Sequence, residues 1–274
     1  MKFLLTLVQI FFFVVAFAQR PLTVCSWNIQ NLGKSKSAAE IEFIANTLRE
    51  FDVVAIQEVV AGPEGPKAVA RLHDALNRKG FKWDYVISQN TSGSKGASER
   101  YAFLWKTSRV NIADTAFLDQ KFRNEIEREP FIIHLAVEGK ILTLVSFHAL
   151  PKSKQPAKEI RYFQFYPQIY TKGPLLFCGD FNTPQSHSVF NPMKKQGYTP
   201  ALEGKKTTLR QKCLNDGCLA SEYDNFFFRP DQVKLRKAGV VHFYESFSDV
   251  KKAREISDHL PVFVEVELSG SSEN

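Results

Sequence analysis

The chain predicts an α/β fold in which two β-sheets pack face to face with helices on their outer surfaces. Two observations carry this. Short apolar, β-prone runs recur from one end of the chain to the other, with helical periodicity between them near both ends. From Phe81 to Phe147, by contrast, strand-like pieces follow one another across turn signals at Gly93, Gly96 and Gly139-Lys140, with no clear helix. Strand–helix units flanking a β-rich middle suit stacked sheets with helices outside.

In order, the apolar runs are Leu22 to Trp27, Val53 to Ile56, Ala102 to Trp105, Ile141 to Phe147, Leu175 to Cys178 and Val262 to Val266. Runs this short, with so little polar alternation, suit strands buried on both faces. A helix begins after Ser37, which forms a capping box with Glu40, and Ala38, Ile41, Ile44, Ala45 and Leu48 share its apolar face. A second spans Lys67 to Lys79, with Val69, Leu72, Ala75 and Leu76 on one side. A third is predicted over Ala157 to Tyr170, stopping before Gly173-Pro174.

Composition is that of a globular protein: 44% hydrophobic and 24% charged residues, without repeats, low-complexity tracts or an internal Pro/Gly/Ser linker. One domain over residues 19–268 is therefore expected, followed by a frayed tail at 269–274. Residues 1–18 read differently. Lys2 precedes the apolar stretch Phe3 to Val15, and Ala16-Phe17-Ala18 is a small-x-small cleavage pattern. This predicts a secretory signal peptide cut before Gln19, and a soluble, monomeric product exported to the periplasm or medium without stable membrane association.

Formal charge is +7, with basic clusters at Lys152, Lys154 and Lys158, at Lys205, Lys206, Arg210 and Lys212, and at Lys251, Lys252 and Arg254. Such potential draws polyanions but does not identify one. Four cysteines allow three disulfide pairings. Cys213 and Cys218 bracket a short turn and suit a local bridge, whereas Cys25 and Cys178 sit in apolar strands and read as buried thiols. No Cys/His spacing suits zinc.

Six polar clusters end these apolar runs: Trp27-Asn28-Ile29-Gln30-Asn31, Ile56-Gln57-Glu58-Val59, Ser98-Glu99-Arg100-Tyr101, Ser146-Phe147-His148, Gly179-Asp180-Phe181-Asn182 and Ser257-Asp258-His259. Together they offer carboxylate and amide oxygens for a hard cation such as Mg²⁺, and two imidazoles for proton transfer. Glu58, emerging where a buried strand ends, is the leading metal ligand. Asn28, Asp180, Asn182 and Asp258 can add oxygens or orient water and phosphate. Glu99 and Asp224 are candidate orienting partners for His148 and His259. Cleavage of a phosphate ester needs this equipment, because charge on the non-bridging oxygens must be neutralised and the reacting oxygens aligned.

With those motifs, the sequence resembles the endonuclease/exonuclease/phosphatase superfamily, and Glu99-Arg100-Tyr101, Arg128-Glu129-Pro130 and Tyr223-Asp224 resemble its deoxyribonuclease I branch. The resemblance runs from Ser26-Trp27-Asn28 to Ser257-Asp258-His259-Leu260-Pro261-Val262. It implies a four-layer α/β/β/α sandwich, with Glu58 holding the metal beside Asn28 and Asp258. It further implies His148–Glu99 and His259–Asp224 as two histidine–carboxylate pairs, Asp180 and Asn182 as the pair holding water, metal or phosphate, and Arg128 as a phosphate contact. The cofactor implied is Mg²⁺ or Mn²⁺, with Ca²⁺ as a structural ion. Two departures stand out. Val60 and Ala97 occupy places where the branch has an arginine and a tyrosine for the DNA minor groove, leaving Lys95 or Arg71 as substitutes. The family disulfide after Asp-Phe-Asn has no counterpart between Thr183 and Ser188. The expected function is an exported, metal-dependent endonuclease acting on DNA or RNA; the alternative is a phosphodiesterase or phosphatase for a small or lipid phosphate ester.

Overall fold

A computed structural model describes residues 20–93 and 98–269. The signal segment 1–18, Lys95, Ala97 and residues 270–274 of the expected tail lie outside the described residues. Ser269, placed in that tail, is tied down by its amide donating to Gln232 O at 3.0 Å.

The chain begins with β1 (Leu22–Leu32), α1 (Ala38–Leu48), β2 (Val53–Val60), α2 (Glu64–Asn77), β3 (Trp83–Ile87) and β4 (Glu99–Lys106). The middle holds two short strands, β5 (Asn111–Ile112) and β6 (Phe117–Leu118), then β7 (Phe131–Val137) and β8 (Lys140–His148). After α3 (Ala157–Ile160) and α4 (Tyr166–Ile169) come β9 (Leu175–Asp180), α5 (Asn191–Lys195) and β10 (Thr199–Pro200). The hairpin β11 (Leu209–Leu214) and β12 (Gly217–Leu219) precedes β13 (Asp224–Phe228), β14 (Val233–Val240), α6 (Val250–Ile256) and β15 (Val262–Leu268).

Two main sheets result, one in the order β14-β15-β1-β2-β4-β3 and the other β10-β13-β9-β8-β7-β5. Period-two alternation sorts their side chains. Val53 and Ala55 of β2 face the second sheet, packing in one cluster with Phe131, Leu144 and Leu176, while Val54 and Ile56 turn outward onto Ile44 and Leu72 of α1 and α2. On the far side, Val145, Phe147 and Phe177 pack against Ile160, Phe163 and Tyr166. Three apolar interfaces between four layers make the α/β/β/α sandwich that the sequence predicts.

The capping box forms as expected, with the Glu40 amide donating to Ser37 Oγ and the Ser37 amide to Glu40 Oε2. The third helix does not run continuously. Between α3 and α4 the backbone tightens into a 3₁₀ stretch over Arg161–Phe165, just ahead of Pro167. Proline has no N–H for an i→i−4 bond, so the helix must restart there. Every predicted strand also extends beyond its apolar run; in β1, β2, β4, β8 and β9 it does so because polar motif residues continue the strand, whereas β15 runs on through Glu267 and Leu268. Cys213 and Cys218 bridge the β11–β12 hairpin, and Cys25 and Cys178 are buried free thiols, as their settings suggest. Among the described residues, no helix is long and apolar enough to cross a membrane.

Candidate active site

Strand register brings the polar clusters to one rim. In the second sheet, β8 and β9 are parallel with His148 opposite Asp180, and β13 runs antiparallel to β9 with Asp224 opposite Asp180. Three chemistry-bearing residues thus stand side by side across three adjacent strands. In the first sheet, Asn28 is opposite Gln57 and Val60 opposite Glu99. Register shifts after Asn28 and Ile56 mark an irregularity in the ladder at Gln57–Glu58. Glu58 has φ +60°, a backbone conformation that costs a non-glycine residue of order 1 kcal/mol and turns its carboxylate off the strand into the cleft. Asn182, with φ +47°, is held similarly, its amide donating to Asp180 Oδ1 at 2.8 Å.

The facing rims enclose a cleft of about 480 Å³, lined by Glu58, Glu99, Arg128, His148, Asp180, Asn182 and His259 among others. His148 Nδ1 lies 2.9 Å from Glu99 Oε2, and His259 Nδ1 2.8 Å from Asp224 Oδ2. Both rings present Nε2 to the same oxygen, Asp180 Oδ2, at 3.4 and 3.6 Å. Burial works against a charged His148, but the Glu99 carboxylate outweighs it even with Arg128 nearby, leaving the imidazole pKa above its ordinary value. Burial opposes charge on His259 too, and Asp224 and Asp180 overcome it to raise its pKa well above normal. The tautomer each carboxylate selects leaves Nε2 facing the cleft.

Asn28 is fully buried and donates through Nδ2 to Glu58 Oε1 at 3.0 Å and Asp180 Oδ2 at 3.2 Å, leaving its Oδ1 buried without a partner. Glu58 Oε2 accepts the Asn31 amide at 3.2 Å. An orphaned amide oxygen beside two converging carboxylates fits a hard divalent cation, which takes oxygen ligands and keeps several waters. Asp180, Asp224 and His259 also place one ligand atom each within 4.8 Å of one another. Much of that compactness is the Asp224–His259 hydrogen bond itself, so the oxygens around Glu58 and Asn28 are the better cation site.

Two expected roles sit differently in space. Asp258 receives Arg254 Nη2 at 3.3 Å, an i,i+4 ion pair from α6, and does not line the cleft. Arg128 is buried, and its Nη1 donates to Glu99 Oε2 at 3.0 Å while also contacting the His148 ring, so it braces that pair as well as facing the cleft. Arg71, a candidate groove contact, is committed to the Gly33 and Lys36 carbonyls at 3.2 and 3.1 Å. Val60 does line the cleft.

Sequence reasoning missed the supporting residues. Thr207 is fully buried and donates to Asp224 Oδ2 at 2.7 Å while accepting the Asp224 amide at 3.0 Å. Ser257 Oγ donates to Asn28 O at 2.6 Å and accepts the His259 amide at 3.0 Å, stitching the two ends of the chain together. Tyr101 OH accepts the His148 amide at 3.1 Å. Ser257 and Tyr101 lie inside quoted motifs and could have been singled out; Thr207 carries no local signal.

The Endonuclease/Exonuclease/phosphatase family matches residues 25–259. A deoxyribonuclease of Thioalkalivibrio sp. (strain K90mix) is 29% identical over 267 residues, covering 90% of this chain and 71% of its own length. Deoxyribonuclease-1-like 1 of Bos taurus is 27% identical, covering 93% of this chain and 84% of its own. Among solved structures, a family protein from Bacteroides thetaiotaomicron superposes with a TM-score of 0.67 at 19% identity, covering 91% of this chain and 98% of that one. A mannosyl-6-phosphatase from the same species gives 0.66 at 19% identity over 90% and 99%, so both share the fold. With a match that takes in every strand-end motif from Asn28 to His259, the chain belongs to the endonuclease/exonuclease/phosphatase family, in its deoxyribonuclease I-like branch.

Proposed function

We propose that this protein is an exported, divalent-metal-dependent endonuclease that hydrolyses the phosphodiester backbone of DNA, with RNA as a second substrate class. Family membership and the deoxyribonuclease relatives support a phosphodiester hydrolase. The observation that carries the finer reading is the convergence of two carboxylate-backed imidazoles on one oxygen of Asp180, beside Glu58 and the unpartnered Asn28 oxygen. Such a centre can accept a proton from water and deliver one to a leaving oxygen within a single cleft.

In this reading Glu58 and Asn28, with Asp180 adjacent, would hold the cation, whose chemistry when bound is to neutralise charge on the phosphate. His148 and His259 move protons at Nε2, one neutral ring removing a proton from the attacking water and the other, already protonated, giving its own proton to the departing sugar oxygen. Glu99 and Asp224 hold the rings in the useful tautomer and stabilise each imidazolium as it forms. Asp180, held by Asn28 and Asn182, orients whatever stands between the two imidazoles. Arg128 supports Glu99 and adds positive charge on the phosphate side.

Export is supported by the leader pattern of residues 1–18 and by the Cys213–Cys218 bridge, since disulfides persist in oxidising compartments. A small or lipid phosphate ester is the second reading, favoured by Val60 where the resemblance expects a groove-reading arginine. The deciding experiment is nicking of supercoiled plasmid by the purified protein in Mg²⁺, against EDTA and His148→Ala controls. Nicking lost in both controls supports the endonuclease. Failure to nick, with hydrolysis of bis(p-nitrophenyl) phosphate intact, overturns it in favour of small substrates.

A further inference from the structure

We infer that the catalytic cleft continues into a second subsite that takes the nucleobase of the nucleotide adjoining the scissile phosphate. This rests on the nucleic-acid reading above. A cavity of about 360 Å³ lies beside the cleft and shares Asn182 with it. Its walls come from the loops that leave β8 and β9, the strands that carry His148 and Asp180. Asn182 forms the partition, donating through Nδ2 to Asp180 Oδ2 at 3.3 Å and to Ala149 O at 3.1 Å. A group seated in the second cavity is therefore one side chain away from the reacting centre.

The lining selects the ligand class. Pro156, Ala157 and Pro184 give apolar walls of low relief. An isolated phosphate or a sugar hydroxyl gains nothing from them, whereas the flat face of a heterocyclic ring gains by van der Waals contact and loss of apolar surface to water, whatever the base. The rim is polar and cationic: Lys152 and His187 are both exposed there. His187 Nδ1 accepts the Val189 amide at 3.1 Å, which puts the ring proton on Nε2 and leaves a donor for a base edge. Lys152 supplies a charge for the flanking phosphate. Proline fixes the backbone of both walls, so the cavity is formed before substrate arrives and little ordering is needed on binding.

The test uses an oligonucleotide with one cleavable phosphate, the other linkages being phosphorothioate. The residue on either side in turn is normal or an abasic tetrahydrofuran. On one side, removing the base should raise KM about tenfold, and Ala157→Trp, which fills the cavity, should raise KM about tenfold for the base-bearing substrate alone. Ala157→Leu carries the same comparison if the tryptophan variant does not fold. Equal effects of the substitution on both substrates, or none on either, overturn the subsite while leaving the nuclease reading intact. If the unaltered protein hydrolyses bis(p-nitrophenyl) phosphate but cuts neither oligonucleotide, the nuclease reading fails and takes the subsite with it.

Discussion

His148 and His259 approach one another from different sheet positions and meet at a single carboxylate oxygen, each with Nε2 within 3.6 Å of Asp180 Oδ2. The two residues are over a hundred positions apart in sequence. Their meeting depends on β9, which pairs with β8 on one side and β13 on the other and so sets His148 and Asp224 either side of Asp180. His259 arrives from the connection that leads from α6 into β15 of the opposite sheet, held by Ser257 and by Trp27, whose Nε1 donates to His259 O at 2.8 Å. A centre assembled from both sheets is only as good as their packing.

Both imidazoles are shifted upward by their carboxylates, and this gives a signed pH prediction. In the metal-free protein the neutral ring needed to accept a proton then accumulates only above the ordinary histidine value of about 6.5, so in EDTA both NMR titration midpoints should lie above that value. Asp224→Asn removes the charge that raises His259, and its NMR titration midpoint in EDTA should fall toward 6.5. A drop in kcat of about 10²-fold or more should accompany it. Movement of the acidic limb of the pH–rate profile in the variant would assign His259 as the base, and movement of the alkaline limb would assign it as the acid. An unmoved NMR midpoint would remove Asp224 as the cause of the shift.

Cation binding should register in stability as well as in activity. A ligand that binds only the folded state adds about 2.7 kcal/mol at a hundred times its Kd, so Mg²⁺ should raise the melting temperature of the protein. Glu58→Gln keeps an acceptor oxygen but removes the charge that a hard cation requires. The variant should lose most of the Mg²⁺-dependent increase while melting in EDTA close to the parent. An undiminished increase would place the cation elsewhere, with the Asp180–Asp224–His259 group as the next site to test.

Asp119 does not line the cleft; it is fully buried and accepts from Tyr166 OH at 2.6 Å, from Tyr170 OH and from the Lys121 amide at 2.9 Å. It anchors the segment after β6 to α4. Asp119→Ala leaves buried donors without an acceptor and should lower unfolding stability by about 3 kcal/mol, and Tyr170→Phe by about 1 kcal/mol. Urea denaturation reads both. Turnover of folded Tyr170→Phe should match the parent, and a large loss there would mean that this lock reaches the site.

Much of the architecture was legible because apolar runs and polar punctuation coincide here. Val53 to Ile56 is buried from every side, so four residues sufficed to mark a strand, and Glu58 stood out as the first carboxylate beyond it. Pro167, visible in the sequence, should have warned that Ala157 to Tyr170 could not be one regular helix. Arg254, near the end of α6 and four residues before Asp258, likewise showed in the sequence the ion pair that the two side chains make. Thr207 was out of reach. Its importance comes from a loop that crosses under Asp224, and no local pattern in Lys206-Thr207-Thr208 records that crossing. The paired clefts were also invisible, since cavity shape depends on how the β8 and β9 loops pack against each other.

Gly179 offers the sharpest test of whether strand register builds the site. Its φ of +133° lies outside the range of side-chain-bearing residues, and an added Cβ would stand 1.9 Å from the Phe147 carbonyl oxygen of the paired strand. That contact cannot relax by rotating a side chain, because backbone opposes backbone. Gly179→Ala should therefore separate β8 from β9 next to His148 and Asp180, lowering unfolding stability by on the order of 3 kcal/mol. Activity should fall further than the loss of folded protein explains, since a misplacement of about 1 Å in a reacting constellation can cost about 10²-fold. Gly139, whose added Cβ would meet nothing within 4 Å, also has positive φ, at +80°, and is the control for backbone strain without a clash. Gly139→Ala carries a smaller backbone penalty and no clash, so its activity per folded molecule should equal the parent's. Equal activity losses in the two variants would mean that the β8–β9 register does not hold the catalytic pair.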